Sequence, residues 1–467
     1  DLASPRASGS VQGFHSHWLV NGVMVTATKD VFYDLAQRPD VDRIEPELIP
    51  ELMEPVSERP SDLGDRGIGI TPGVVNIGAR RVWDELGIRG EGVIVGILDT
   101  GVMGSHPALA SRWRGNFAPA SECWLDVIGS PPDFPTDNQG HGTHVMGTIT
   151  GVADDDTVGV APGAVWIGTN VIDQFAGSGF DSDVITSLEF MADPDGDPGT
   201  SDDVPDVIQN SWGINENFSG IPPYDDCDSR WWEAIDAVEA AGCVVTWSAG
   251  NEGSGSQTLR SPADRATTLY NVFSVGSTQH SPPFTISGFS SRGPAGPNCG
   301  PEENRMKPEI SAPGSDIYSS TNDGGYGYKS GTSMAGPHVA GVVALMRSAN
   351  PNVDVLTIKQ VIMETAMDLG VPGEDNTYGH GLIDAYQCVI AVMGGLGYLE
   401  GTLVDADSGL PVEGASVQVV DSYQSATTDA DGRFDLTLQE GDVDLVVTRF
   451  GYLEGNYSVT VAEDQTL

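Results

Sequence analysis

Basic side chains are scarce in this chain: 22 Lys and Arg stand against 67 Asp and Glu, a formal net charge of −45. A surface this negative repels phosphate backbones and anionic membranes, so neither is expected as a partner. The acidic excess suits a solvated, salt-tolerant surface, or cation binding by some of the carboxylates, and the two readings are compatible. Cysteine is scarce too. Cys123, Cys227, Cys243, Cys299 and Cys388 are too few and too scattered for a disulfide scaffold, and with no CxxC pair they do not suggest zinc. The odd count leaves at least one thiol unpaired. Cys243 opens an apolar strand and Cys388 lies in a helical stretch, so any bridge is expected among Cys123, Cys227 and Cys299, in a pairing that spacing does not decide. Long apolar runs are missing: none reaches the roughly 18 residues of a membrane span. The first residues, DLASPRASGS, contain no apolar signal core.

What is present describes a large globular protein. A chain of 467 residues exceeds the size at which one core keeps growing, so a large domain with smaller appendages is expected. The 59 Gly and 30 Pro, set in a chain that is 39% hydrophobic, fit a tightly looped α/β protein rather than a disordered one. Residues 14 to 47 read as a small βαβ-like unit: an alternating run from Trp18 to Thr26, an amphipathic stretch with Val31, Phe32, Leu35 and Ala36, and a short strand near Ile44. The stretch from Pro46 to Pro72, rich in Pro, Glu and Ser, lacks periodicity and reads as an exposed, cleavable linker.

From Val74 to Met393 apolar strands alternate with helices. The strands fall at Val93 to Leu98, Val165 to Ile172, Val207 to Ile208, Val244 to Trp247 and Val272 to Val275; helices fall at Val184 to Met191 and Trp231 to Ala241. This alternation predicts a mainly parallel sheet covered on both faces. After Gly394, Gly395 and Gly397 come short alternating strands, such as Ala415 to Val420 and Phe434 to Leu438, which predict a separate β-sandwich.

Three segments carry chemistry. VIVGILDTG ends a buried strand on Asp99, and an acid between apolar residues at a strand's carboxyl end is either used or serves as a cap. GHGTHVMGTITG opens a helix at His141, with glycines that permit close approach. Zinc binding by His141 and His144 is disfavoured, because the metalloprotease helix needs a four-residue spacing and a Glu beside the first His; His144 reads as a packed structural residue. GTSMAGPHVAG places Ser333 at the start of a helix of small residues, where it either caps the helix or acts as a nucleophile in positive potential. A fourth segment, DPDGDPGTSDD, crowds Asp193, Asp195, Asp197, Asp202 and Asp203 into one loop. These are candidate structural calcium ligands, although the loop is not an EF-hand.

Asp99, His141 and Ser333 occur in the order that subtilisin uses, and the chain resembles the subtilases. The likeness extends through APGA (161 to 164), NSWG (210 to 213), SAGNEG (248 to 253), FSSRGP (289 to 294), KPEISAPG (307 to 314) and GLIDA (381 to 385), with the bacillopeptidase F group the most similar in pattern. The tail, GTLVDADSGLPVEGASVQV with TTDADGRFDL and FGY, resembles the carboxypeptidase regulatory-like domain, and residues 14 to 47 resemble the second half of an inhibitor-like subtilase propeptide.

These resemblances imply a three-layer subtilisin-like α/β fold. They divide the chain into a propeptide remnant and linker (1–60), a catalytic domain (61–396) and a C-terminal β-sandwich (397–467). They imply a secreted serine endopeptidase, made as a zymogen with its own propeptide as intramolecular inhibitor, with no catalytic cofactor and as a monomer. Ser333 would be the nucleophile, His141 its general base and acid, Asp99 the orienting carboxylate and Asn251 an oxyanion donor. Ser211, Trp212 and Gly213 would form one wall of the S1 pocket and Ser248, Ala249 and Gly250 the other. The segment from Ile172 to Gly179, with Gly177, Ser178 and Gly179 as contacts, would pair with substrate as an edge strand. Arg260 falls where many subtilases have a small residue at the pocket floor; it either favours an acidic P1 side chain or is paired internally. A pseudoenzyme used for adhesion, or an exopeptidase with a blocked cleft, are the competing readings.

Overall fold

The computed structural model describes residues 9–47, 51–61, 69–127, 134–153, 156–172, 179–214, 227–420, 424–463 and 465–467. Its centre is a sheet of seven strands, all parallel: β1 (Ile94–Leu98), β2 (Trp124–Leu125), β3 (Val165–Thr169), β4 (Val207–Asn210), β5 (Val244–Ser248), β6 (Phe273–Gln279) and β7 (Ile310–Ser315). Their spatial order is β7-β6-β5-β4-β1-β3-β2. From β1 the chain goes to the edge strand β2, returns to β3 beside β1, and then crosses to β4 on the other side and winds outward to β7, so the carboxyl end of β1, where Asp99 follows, lies at the topological switch point of the sheet. Strands buried along their whole length, such as Ile94–Leu98 and Val244–Ser248, need helices on both faces, which explains their continuous apolar sequence.

Helices α1 (Ala79–Leu86), α2 (His141–Thr150), α3 (Phe180–Ala192), α4 (Trp232–Ala240), α5 (Thr332–Ala349), α6 (Val355–Glu364) and α7 (Ala385–Val392) supply those layers. The helix α5 packs on β4, β5, β6 and β7 and on α2, while α3 packs on α4 and β1. Its small residues let it lie close to the sheet: a Cβ at Gly336 would sit 2.2 Å from Gln209 Nε2. Gln209 in turn donates to Ser211 Oγ (3.0 Å) and Ser248 Oγ (3.1 Å), and Ser248 Oγ donates to the Thr332 carbonyl at 3.1 Å. These buried polar groups are therefore paired, and they fix the register of α5 over the strand ends. Trp212, Trp231 and Trp247, all fully buried, stack edge to face around Trp212 at ring distances of 5.2 and 4.7 Å and stiffen the wall beneath it.

The N-terminal unit is a hairpin, Val11–His17 paired antiparallel with Gly22–Ala27, followed by the helix Lys29–Leu35. This corrects the βαβ expectation in two ways. The alternating run from Trp18 to Thr26 is broken by a turn through Asn21, whose φ is +47°, and residues 41–47 near Ile44 form no strand. The C-terminal region forms two antiparallel sheets. Leu396–Thr402 pairs with Arg433–Gln439, and a four-stranded sheet is built from Ser425–Thr427, Ser416–Val419, Gly441–Thr448 and Gly455–Val461. They enclose a small core of their own that includes Val417, Leu436, Leu438 and Val461.

Cys227 and Cys299 form a disulfide across 72 residues, while Cys123, Cys243 and Cys388 are free and buried. Of the three loop cysteines, Cys123 is the one left out: it packs in the main core, and burial pushes its thiol pKa up. A loop of this length corresponds to about 4 kcal/mol of chain entropy. Reduction is expected to lower the melting temperature by several degrees, which calorimetry with and without a reductant checks.

Candidate active site

Asp99 and His141 are fully buried, and His141 Nδ1 lies 2.7 Å from Asp99 Oδ1. The same carboxylate oxygen accepts the Thr100 amide at 2.8 Å, so its position is fixed by the backbone at the end of β1. His141 begins α2, and glycine at the next position is required: a Cβ on Gly142 would come within 2.1 Å of the Gly101 carbonyl oxygen and 3.1 Å of Asp99 Cβ. His141 Nε2, the nitrogen turned away from Asp99, has no hydrogen-bond partner among the described residues. His144 is buried against the Gly327 carbonyl, 3.3 Å away, and burial holds its pKa well below the ordinary histidine value. It is a packed residue, as its sequence context suggests.

Asp137 was not singled out by sequence reasoning, yet it holds this corner together. Its Oδ1 accepts from Thr100 Oγ1 (3.0 Å), Gln139 N (3.0 Å) and Gly140 N (2.7 Å), and its Oδ2 from Thr143 N (2.9 Å) and Oγ1 (2.6 Å). One carboxylate thus ties the residue after Asp99 to the first turn of α2, despite the burial that pushes its pKa up. The signal was available in DNQGHGT, an acid four residues before a helix-opening His.

Ser333 lies in the first turn of α5, which packs on α2. Its Oγ donates to the Met53 carbonyl at 3.1 Å. Asn251 is held by Thr332, whose amide and hydroxyl both donate to Asn251 Oδ1 at 2.9 Å; its free amide Nδ2 then donates to the Glu54 carbonyl at 3.0 Å. Ser333 and Asn251 therefore meet on one segment of this same chain, Met53–Glu54, while the Asp99–His141 pair stands at the start of α2, the helix that packs on α5.

Residues 51–61 are paired as short strands, although Glu54 and Val56 to Pro60 are exposed, as the linker reading expects. Leu52 pairs antiparallel with Trp212 and Glu51 with Gly213, the Met53 amide donates to the Ser211 carbonyl (3.3 Å), and Val56 N donates to the Ser330 carbonyl (2.7 Å). Ser57–Pro60 then pairs with Tyr326–Ser330 on the far side of Ser333. An extended segment that satisfies its backbone groups on both walls of a cleft is bound by strand addition, and its lack of periodicity follows from that irregular path. Leu52 and Met53 are buried while Glu54 is exposed. Met53 occupies the pocket walled by Gly213: a Cβ there would lie 2.8 Å from the Ser261 carbonyl oxygen and 3.1 Å from Met53 Cε.

Of the expected substrate contacts, Ser211, Trp212 and Gly213 line this segment, and Ser248, Ala249 and Gly250 are buried at the adjoining end of β5, with Gly250 N donating to Thr332 Oγ1 at 3.2 Å. Gly177 and Ser178 lie outside the described residues, and Gly179 is the N-cap of α3. Arg260 is buried beside Gly213 and Gly250. Its guanidinium pairs with Glu252, Nε donating to Oε1 at 2.8 Å, and this is the internally paired alternative; a carboxylate already occupies the cation that an acidic P1 side chain would need.

The acidic loop gathers three of its five aspartates. Asp193, Asp195 and Asp203 bring one carboxylate oxygen each within 4.8 Å of one another, and repulsion from Asp195 and Asp203 adds to desolvation in raising the Asp193 pKa. Asp197 is instead turned into its own loop, accepting from Gly199 N at 3.0 Å, and Asp202 is exposed. No helix among the described residues is long and apolar enough to cross a membrane.

The subtilase family matches residues 90–381, and the carboxypeptidase regulatory-like domain matches residues 398–467. Bacillopeptidase F of Bacillus subtilis (strain 168) is 33% identical over an alignment covering 97% of this chain and 31% of its own length, so this chain spans about a third of that relative. Subtilisin DY of Bacillus licheniformis is 32% identical, with 64% of this chain and 91% of the relative covered. The crystal structure of fervidolysin from Fervidobacterium pennivorans, a keratinolytic enzyme related to subtilisin, superimposes with a TM-score of 0.54 at 23% identity over 90% of this chain and 68% of that one, a likeness of fold. With the family matched over more than half of the chain's residues, the chain belongs to the subtilase family.

Proposed function

We propose that this chain hydrolyses peptide bonds in proteins through an acyl-enzyme on Ser333. The observation that supports this most strongly is its own Met53 carbonyl resting on the Ser333 hydroxyl. Ser333 Oγ attacks the carbonyl carbon as His141 Nε2 takes its proton, and Asp99 stabilises the imidazolium that forms. The tetrahedral oxyanion is held by Asn251 Nδ2 and the Ser333 amide. Collapse expels the amine, which receives the proton from Nε2; water then repeats the sequence, releasing the acid and free serine.

The same geometry supports a zymogen whose N-terminal segment is its intramolecular inhibitor and whose first substrate bond is Met53–Glu54. Asn251 Nδ2 now serves the carbonyl one residue downstream, that of Glu54, so cleavage needs this amide to transfer to the Met53 oxygen. Met53 in the pocket, with the paired Arg260 beside the same Gly213 wall, favours an apolar P1 side chain over an acidic one. Mass spectrometry of casein digested by this chain and by Ser333→Ala tests the proposal: internal cuts after Met and Leu by the unaltered chain alone are expected, whereas cuts by neither after removal of residues 1–53 would refute it.

The Cys227–Cys299 disulfide and the acidic surface support secretion to an oxidising exterior, where the chain would act as a monomer. Structural calcium is proposed at Asp193, Asp195 and Asp203; the last is buried, with Oδ1 unpartnered among the described residues. A calcium chelator is then expected to lower the melting temperature by several degrees in the unaltered chain and to have no effect in Asp203→Asn, as calorimetry would show.

A further inference from the structure

The hairpin of the N-terminal unit meets the catalytic domain at α3 through an unusual set of side chains. His15 and His17 stand on one face of the strand Val11–His17, as an i, i+2 pair must, with ring centroids 4.7 Å apart. Glu189 projects from α3 between them and the following turn, its Oε1 accepting the Trp18 and Leu19 amides at 2.5 and 3.1 Å. Its second oxygen, Oε2, faces His17 Nδ1 at 3.3 Å. One ligand atom from each of His15, His17 and Glu189 lies within 4.8 Å of the other two.

We propose that His15, His17 and Glu189 bind a divalent transition-metal ion, zinc by its ligand preference, at the joint between the hairpin and α3. Three features of the geometry carry this. Two imidazoles and a carboxylate are a donor set that zinc takes with a water in the fourth position. The 3.3 Å between His17 Nδ1 and Glu189 Oε2 is long for an N–H···O bond but matches the edge of about 3.4 Å that ligand bonds of about 2.0–2.1 Å subtend in a tetrahedron. The far nitrogen of His17, Nε2, is 3.0 Å from Ser182 Oγ. By donating to that hydroxyl it takes the tautomer that leaves Nδ1 as a bare lone pair toward the site, the arrangement by which a metal-bound histidine is oriented.

The surroundings also favour a cation. Asp183, six residues before Glu189 on α3, is pushed up to about 6 by burial and by the neighbouring Glu47, an effect that His15 opposes. A second carboxyl group, Asp183, thus stands close enough to His15 to interact with it. His15 is exposed and leaves one side open to water and to the entering ion. Once bound, the ion ties the hairpin to α3 by bonds to both.

The test uses the full-length Ser333→Ala protein, so that the N-terminal unit stays attached, freed of metal and titrated with zinc chloride in a calorimeter. One equivalent is expected to bind, with affinity at least about 100-fold weaker in His15→Gln and in Glu189→Gln and unchanged in His280→Gln, a histidine outside the site. His15→Gln alters only an exposed side chain, so the folded protein remains available for comparison even if His17 variants are unstable. Cobalt(II) titration gives an independent readout through the visible absorption of a four- or five-coordinate ion. Zinc binding that is absent, or that is equally tight in His15→Gln and Glu189→Gln, would overturn the assignment.

Discussion

Ser333→Ala is expected to lower kcat by about 10⁶, the size of the loss for the nucleophile of subtilisin itself, and to leave the chain uncut between Met53 and Glu54. The reasoning rests on the way α5 begins. Thr332 is held by Asn251 on one side and by the Ser248 hydroxyl on the other, so the backbone around residue 333 keeps its place when the hydroxyl is removed. Asn251 Nδ2 and the residue-333 amide survive the change. The variant should therefore retain the residual catalysis over water, about 10³–10⁴, that an oxyanion site and binding alone provide. Peptide mapping of the N-terminus after incubation reads the outcome: a new terminus at Glu54 in the unaltered chain, Asp1 retained in the variant. A variant that still cut itself would remove Ser333 from the nucleophile's role, and an unaltered chain cut at another bond would remove Met53 from the S1 position.

Asp99, His141 and Ser333 were legible because each sits where a regular element begins or ends: a buried strand ending on an acid, a glycine-flanked helix start, a helix of small residues opening on Ser. Local sequence encodes those junctions. The parallel sheet was legible for the same reason, through strands whose apolar runs admit only two-sided burial. Residues 51–61 were not legible, because what orders them is the edges of two distant strands, Trp212–Gly213 and Tyr326–Ser330, and no periodicity inside the segment records a partner more than 150 positions away. Ile44 reads as a strand by composition, but no strand among the described residues pairs with it. Asp137 went unremarked because an acid in a loop is common; its five accepted hydrogen bonds appear only when the loop folds against Thr100 and the first turn of α2. Arg260 shows the complementary limit. Its place beside the pocket followed from the motif, while the pairing with the Glu252 carboxylate, eight residues earlier in the same loop, depends on how that loop folds back on itself.

Asp99→Asn is expected to lower kcat by about 10⁴ while leaving KM nearly unchanged. Asp99 touches nothing in the cleft: its Oδ1 accepts from His141 Nδ1 and the Thr100 amide, and its Oδ2 has no partner among the described residues. An asparagine keeps the shape, but the Oδ1 position serves both the Thr100 amide and His141 Nδ1, so placing the side-chain amide there gives up the Thr100 bond and points an N–H at His141 Nδ1, while the opposite orientation leaves only a neutral oxygen to stabilise the imidazolium. In the first orientation the ring must answer with a lone pair at Nδ1, which puts its proton on Nε2, the nitrogen that has to receive the Ser333 proton. Binding is untouched and proton transfer fails, so the loss falls on kcat. The scaffold is independent of this exchange, because Asp137 holds Thr100 Oγ1 and the start of α2 without using the Asp99 side chain. Steady-state kinetics on a methionine-P1 peptide, with fluorophosphonate labelling of Ser333 as a second readout, separate the two effects. Labelling slowed in parallel with kcat is expected; a loss in KM alone, or a fall of less than tenfold in kcat, would mean that Asp99 does not set the tautomer of His141.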